Sequence, residues 1–236
     1  MRKIIISSVL FCSVVLLSCS ENLTSSDNIT SETINVGVFN EIEVSSGLKV
    51  SLQKGDVQKV EVTANENLHK SIEVKVIENE LKITKQSGVN FDSKANVTIV
   101  VTYTNLEGVD GTGNSNITFI KPFNGDKLEI ELTGSSSLSG EIITRKLDAD
   151  LAGTSLIDII GSASEYELDL NRGSIAKSFS FVAENFDGDF NGGSNAELTI
   201  NKNIELEATG GSQLNYKGNA TILEQKLTGG STINKK

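Results

Sequence analysis

Two Asp-x-Asp pairs are the first residues whose types and spacing could do chemistry: Asp148-Ala149-Asp150 and Asp187-Gly188-Asp189. On an extended strand, residues i and i+2 share a face. Each pair would therefore present two carboxylates together, and calcium takes such oxygen ligands. Neither pair sits in the glycine-rich nonapeptide of calcium-binding β-rolls, so no metal site is assigned. Arg145 and Arg172 fall in successive copies of a repeat, near Asp148, Asp150 and Asp169. Clustered carboxylates with a nearby base are what a polysaccharide lyase or hydrolase needs in its groove. The structural alternative is a solvated strand face laced with cross-strand ion pairs. The chain has no Trp, which removes the usual stacking ring for a sugar and favours that alternative.

His69 is the single histidine. Within Asn67-Leu68-His69-Lys70 it reads as a surface residue, and it lies far in sequence from the Gly-Ser segments that would have to supply a nucleophile. Those segments resemble phosphate-cradling loops only superficially. No Gly-Lys-Ser/Thr follows a strand and opens a helix. No residue is assigned a catalytic, cofactor-binding or metal-binding role, and no cofactor is expected. The formal net charge of −10 excludes the basic patch that displaces counterions from nucleic acid.

Cys19 is the residue with an assignable modification. Arg2 and Lys3 precede an apolar run, Ile4 to Leu17, of signal-peptide length and too short to span a bilayer comfortably. The run ends in Leu16-Leu17-Ser18-Cys19, which resembles the bacterial lipobox. That resemblance implies acylation of the Cys19 thiol, cleavage before it, and a durable hydrophobic anchor. The other cysteine, Cys12, would leave with the signal, so the mature chain would carry no disulfide. The expected organisation is a signal peptide over 1–18, a lipidated cysteine with a flexible polar tether over 19–34, and a single domain over 35–236. The expected location is the cell envelope, on the outer membrane, with periplasmic or external exposure left open.

The elements that would position these residues are strands. Period-2 alternation is clear in Glu41-Ile42-Glu43-Val44, Val60-Glu61-Val62, Ile72-Glu73-Val74-Lys75-Val76 and Val97-Thr98-Ile99-Val100-Val101. No segment shows a helical stripe with caps. From about Val109 a motif recurs that aligns Ser115, Ser136, Ser155, Ser174, Ser194, Ser212 and Ser231 in one column. The residue two after each serine is always apolar: Ile117, Leu138, Ile157, Ala176, Ala196, Leu214 and Ile233. Eight before it stand Leu128, Leu147, Tyr166, Phe186, Ile204 and Leu223; four before it stand Leu132, Leu151, Leu170, Phe190, Ala208 and Leu227. Two before it stands Gly in every copy but one, where Arg172 is followed by Gly173. Glycine at one phase marks a sharp corner. A period near 19 residues, built of short strands and glycine corners, predicts an all-β solenoid whose coils stack as parallel strands. The competing reading is an antiparallel sandwich with regular hairpins. Repetition in one phase favours the solenoid.

Val36-Gly37-Val38-Phe39-Asn40-Glu41-Ile42-Glu43-Val44, then Ser46-Gly47-Leu48-Lys49-Val50-Ser51-Leu52, then Val60-Glu61-Val62-Thr63-Ala64-Asn65-Glu66-Asn67-Leu68 and Glu80-Leu81-Lys82-Ile83, followed by the Gly-Ser repeats, resemble the auto-transporter adhesin family, head GIN domain, of envelope lipoproteins. The resemblance covers nearly all of residues 35 to 236. It implies a right-handed parallel β-helix and brings no catalytic residue with it. The expected function is a non-enzymatic envelope lipoprotein for binding, adhesion or surface structure. Its partners would be the membrane, through the lipid, and an envelope or extracellular polysaccharide or protein. The alternative is a carbohydrate-active β-helix enzyme.

Overall fold

Two consecutive residues in the left-handed region turn the chain at the end of each coil. At the corner before Ser155 they are Gly153 (φ 69) and Thr154 (φ 66); before Ser174 they are Arg172 (φ 58) and Gly173 (φ 78). The first position favours glycine because a side chain there is strained and would press on the corner below. A Cβ on Gly153 would stand 3.3 Å from the amide nitrogen of Gly134. Arg172 therefore keeps the left-handed turn at a conformational cost of about 1–3 kcal/mol. An eighth corner lies further upstream, at Ser46 (φ 64) and Gly47 (φ 71), with Leu48 in the place of the serine.

The computed structural model describes residues 21–236. Cys19 and the signal segment 1–18 lie outside the described residues. The N-terminal part contains β1 (Glu21–Leu23), β2 (Ile29–Ile34), β3 (Glu41–Val44), β4 (Lys49–Lys54), β5 (Lys59–Asn65), β6 (Ile72–Ile77), β7 (Glu80–Lys85), β8 (Val89–Phe91), β9 (Val97–Tyr103) and β10 (Gly108–Gly111). Five long bent strands follow: β11 (Asn116–Leu132), β12 (Ser137–Ala152), β13 (Leu156–Asn171), β14 (Ile175–Phe190) and β15 (Asn195–Ala208). The stack ends in β16 (Gln213–Lys217), β17 (Thr221–Leu227) and β18 (Thr232–Lys235).

Successive copies of the repeat pair in parallel and in register. Ile117 faces Leu138, Leu138 faces Ile157, Ile157 faces Ala176, Ala176 faces Ala196, Ala196 faces Leu214, and Leu214 faces Ile233. All but Ile233 are buried, so this column is a continuous aliphatic spine. The chain is a parallel β-solenoid with coils of about 19 residues. Midway along the long strands the register slips in the β11–β12, β13–β14 and β14–β15 pairs, for example between Ile157 and Gly161, whereas β12 and β13 stay in register throughout. Gly161 (φ 115) passes so close to the coil below that a Cβ would fall 2.1 Å from the carbonyl oxygen of Ile142.

Three features depart from the sequence-based expectation. Residues 21–34, expected as part of a flexible tether, contain two strands: β1 pairs with β8, and β2 pairs antiparallel with β5. Their polar side chains find partners on the body. Ser25 Oγ donates to Asp92 at 2.6 Å, and Asn65 Nδ2 donates to the Ser26 carbonyl at 2.6 Å. A Ser/Thr/Asn-rich composition thus serves to pin a strand. Second, the N-terminal part is not purely parallel, since β5–β9 and β6–β7 are also antiparallel. Third, the column eight before the serine ends in Ile222, which faces Ile204, because the register slips by one residue just after this pair. Leu223 is displaced outward and is 59% exposed.

Candidate functional site

The serine ladder is structural. Ser136 Oγ donates to the carbonyl of Thr133 at 2.8 Å and accepts the amide of Ser115 at 3.2 Å. Ser155, Ser174, Ser194 and Ser212 donate in the same way to the carbonyl three residues back, at 2.7–2.9 Å. Each of these serines is buried, and its hydroxyl donates to a carbonyl of its own corner. None has a proton relay. His69, expected at the surface, is instead clamped between elements, its side chain 9% exposed. It follows β5 in a short 3-10 helix, Glu66–Ser71. Its Nε2 lies 3.0 Å from Thr30 Oγ1 and 3.2 Å from the Thr30 carbonyl oxygen, and its Nδ1 lies 3.6 Å from Glu32. It ties β2 to the body.

Arg145 pairs with Asp126 at 3.0 Å and Glu165 at 3.4 Å, all three exposed. It does not converge with Asp148, Asp150 or Asp169. Arg172 is exposed at its corner and makes no ion pair with these acids. The groove that a carbohydrate-active enzyme needs is not assembled from these residues. Among the described residues, no three Asp, Glu, His or Cys side chains form a group suited to a metal ion.

What the fold does build is a carboxylate face. In β11 the alternation Leu128-Glu129-Ile130-Glu131-Leu132 turns the leucines and isoleucine inward and the glutamates out. Parallel in-register stacking then lines up every outward position. One column runs Glu80, Glu41, Gly108, Glu129, Asp148, Glu167, Asp187, Glu205 and Glu224. Its neighbour runs Lys82, Glu43, Asp110, Glu131, Asp150, Asp169, Asp189, Glu207 and Lys226. Strands lie about 4.8 Å apart, so like charges stand at close range along both columns.

Lysines neutralise the ends and one flank. Lys82 bridges Glu43 and Glu80, Lys226 meets Glu207 at 2.9 Å, Lys146 meets Glu167 at 2.6 Å, and Lys127 pairs with Glu129. Its two carboxylates hold the Lys82 ammonium well above the usual lysine range. Among the described residues, no Lys or Arg makes an ion pair with Asp110, Glu131, Asp150, Asp169 or Asp189. Asp110 and Asp169 are shifted accordingly. Burial, and then Glu131, Glu80, Glu41 and Glu43, push Asp110 up to about 6. Burial, and then Asp150 and Asp189, raise Asp169; burial and Glu167 raise both Asp148 and Asp187.

Gly108 interrupts the first column. Without a side chain there, the face has a notch lined by Glu41, Asp110, Glu129, Glu131, Asp148 and Asp150. A Cβ at Gly108 would stand 3.1 Å from Glu41 Cγ and begin to fill it. The sequence reading singled out Asp148, Asp150, Asp187 and Asp189 as two separate pairs. The structure joins them in one array with Glu129, Glu131, Glu167, Asp169, Glu205 and Glu207.

The sequence pattern of a family described as "Putative auto-transporter adhesin, head GIN domain" matches residues 38–220. Solved structures share the fold. A protein described as a putative adhesin from Bacteroides fragilis is 18% identical with a TM-score of 0.83, over 91% of this chain and 100% of that one. A putative adhesin from Parabacteroides merdae is 17% identical with a TM-score of 0.74, over 92% and 100%. A protein from Parabacteroides distasonis described as a putative lipid binding protein is 18% identical with a TM-score of 0.68, over 92% and 100%. No curated protein matches the chain.

Proposed function

The chain belongs to the auto-transporter adhesin family, head GIN domain, and from that premise we propose that it is a non-enzymatic binding module of the cell envelope, held by lipid at Cys19. The descriptions carried by its structural relatives, adhesins and a lipid-binding protein, are binding roles. Among the described residues, no helix is long and apolar enough to cross a membrane; what supports the anchor is the lipobox-like Leu16-Leu17-Ser18-Cys19. Cys19→Ala should then release the protein from the membrane fraction. Retention of that variant on membranes after a high-salt wash would remove the anchor from this reading.

The contact surface in this reading is the carboxylate face, and its ligand carries ammonium or guanidinium groups, as on a basic protein surface. Five successive carboxylates without a counter-ion, from Asp110 to Asp189, beside the notch at Gly108 carry the assignment. Such a surface raises the local concentration of cations and steers their approach. It binds through repeated weak contacts, so affinity falls steeply as salt screens them. The probe is a lysine-rich peptide, titrated by calorimetry at low and physiological salt. Binding should weaken tenfold or more in the triple variant Glu131→Gln, Asp150→Asn, Asp169→Asn. Equal binding by that variant, with its fold intact by circular dichroism, would reject the face as the contact surface.

A further inference from the structure

Both ends of the stack finish in strands paired on one side only. At one end, the outermost strand β6 is the antiparallel partner of β7, and the adjoining 3-10 helix buries Leu68 completely. At the other, β17 pairs only with β15 and β18 only with β16. The outer edges of β17 and β18 meet no other strand among the described residues, and their backbone donors and acceptors face outward. The apolar columns stop there as well. Ile222, Leu227 and Ile233 are only partly buried, and Leu223 is 59% exposed. An exposed strand edge beside apolar side chains is a template for pairing with another strand.

Edge strands are commonly protected by charge, and β17 carries Glu224 and Lys226 on its outward face. Their spacing makes this protection selective. If β17 pairs antiparallel with a second β17 about a two-fold axis through Gln225, then Glu224 stands directly opposite Lys226 of the other copy, and Lys226 opposite Glu224. Residues that oppose each other in an antiparallel pair point to the same side of the sheet. Both charges already point outward, beside Glu205 and Glu207. The residue on the axis is the polar one. Gln225 ends an inward column that otherwise runs Val109, Ile130, Ala149, Leu168, Gly188 and Leu206. Two Gln side chains facing across the axis can exchange amide hydrogen bonds, which favours this register over its neighbours.

We infer that the edge formed by β17 and β18 is the docking surface for a second copy of this chain, in an isologous, end-to-end dimer centred on Gln225. A two-fold contact is self-complementary and closes on itself. The product is one longer rod with a continuous sheet across the seam and no exposed edge at its middle. This inference is independent of what the carboxylate face binds.

The chain offers a direct test, because its only cysteines are Cys12 and Cys19. In Gln225→Cys, two thiols would face each other across the axis at a spacing that a disulfide tolerates. Mild oxidation should give a covalent dimer on non-reducing electrophoresis, whereas Asn124→Cys, on the outer side of β11, should stay largely uncrosslinked. Sedimentation of the unmodified chain at tens of micromolar should give a dimer mass. Lys226→Glu puts carboxylates opposite each other and should weaken the dimer at least tenfold. The swapped variant Glu224→Lys, Lys226→Glu should restore it, which separates a lost contact from a damaged fold. A monomer at that concentration would overturn the proposal. So would a dimer that neither crosslinks through Gln225→Cys nor responds to the charge reversal.

Discussion

The backbone amide of Ser115 donates to the hydroxyl of Ser136 in the next coil, at 3.2 Å. The bond joins two corners 21 residues apart in sequence and leaves the hydroxyl no freedom to act as a nucleophile. Ser136 also donates to Thr133 within its own corner. One side chain therefore closes its own turn and fixes the turn below it.

Ser136→Ala should cost about 1–3 kcal/mol, because it strands the buried Ser115 amide and removes one of two donors to the Thr133 carbonyl. Ser137→Ala removes only an acceptor for the exposed Asn116 and should cost less than about 0.5 kcal/mol. Urea denaturation of both variants makes the comparison. Equal losses would mean that the buried ladder contributes nothing specific.

The spine makes a second prediction. Ile157 is fully buried between Leu138 and Ala176, so Ile157→Ala opens a cavity between coils and should cost about 2–5 kcal/mol. Ile233 has a coil on one side only and is partly exposed. Ile233→Ala should cost clearly less, since terminal repeats have one neighbour. The reverse order would contradict the stacking.

Much of this was legible because the solenoid repeats in register: once the serines align, the columns two after and four before them are the buried columns. Legibility failed where the register changes. Leu223 counts as the eighth residue before Ser231, yet the slip after Ile204 gives the inward place to Ile222. The alternation Val60-Glu61-Val62 announces a strand but carries no information about direction, so the antiparallel β5–β9 pair was invisible. The glycines of the second bend give no column through all the copies: Gly161 and Gly218 stand six after their serines, but Gly140 stands four after its own. The carboxylate face, by contrast, could have been read. Acids stand seven and five before the serine in copy after copy, from Glu129 and Glu131 to Glu205 and Glu207. Taking the two Asp-x-Asp pairs singly hid the array, because stacking builds it across coils and not along the chain.

Gly161 tests the second bend. Its φ of 115° and the 2.1 Å approach of a Cβ to the Ile142 carbonyl leave no room for any side chain. Gly161→Ala should cost more than about 3 kcal/mol or prevent folding, as measured by thermal unfolding and soluble yield. Gly37→Ala, where nothing lies within 4 Å, should stay within about 0.5 kcal/mol of the parent. A tolerated Gly161→Ala would show that the coils can separate at this bend.

Asp110 makes the carboxylate face a source of instability at neutral pH. Burial and the facing Glu131, Glu80, Glu41 and Glu43 raise its folded pKa from 3.8 to about 6. Between these two values the folded chain holds a proton that the unfolded chain has released, so stability falls as pH rises through that window. The stabilising contribution is complete below about 4 and lost above about 6. Asp169, Asp148 and Asp187 shift in the same direction and should add to the slope. Asp110→Asn removes the charge and should stabilise the protein at pH 7.5, with the gain shrinking toward zero near pH 4. Added salt should narrow the gap between variant and parent at pH 7.5 by screening the same repulsion. Denaturant midpoints at pH 4.5 and 7.5, with and without salt, measure all three effects. An Asp110→Asn variant less stable than its parent at pH 7.5 would mean that the Asp110 carboxylate is held by a favourable contact, and that the face is not a field of uncompensated charge.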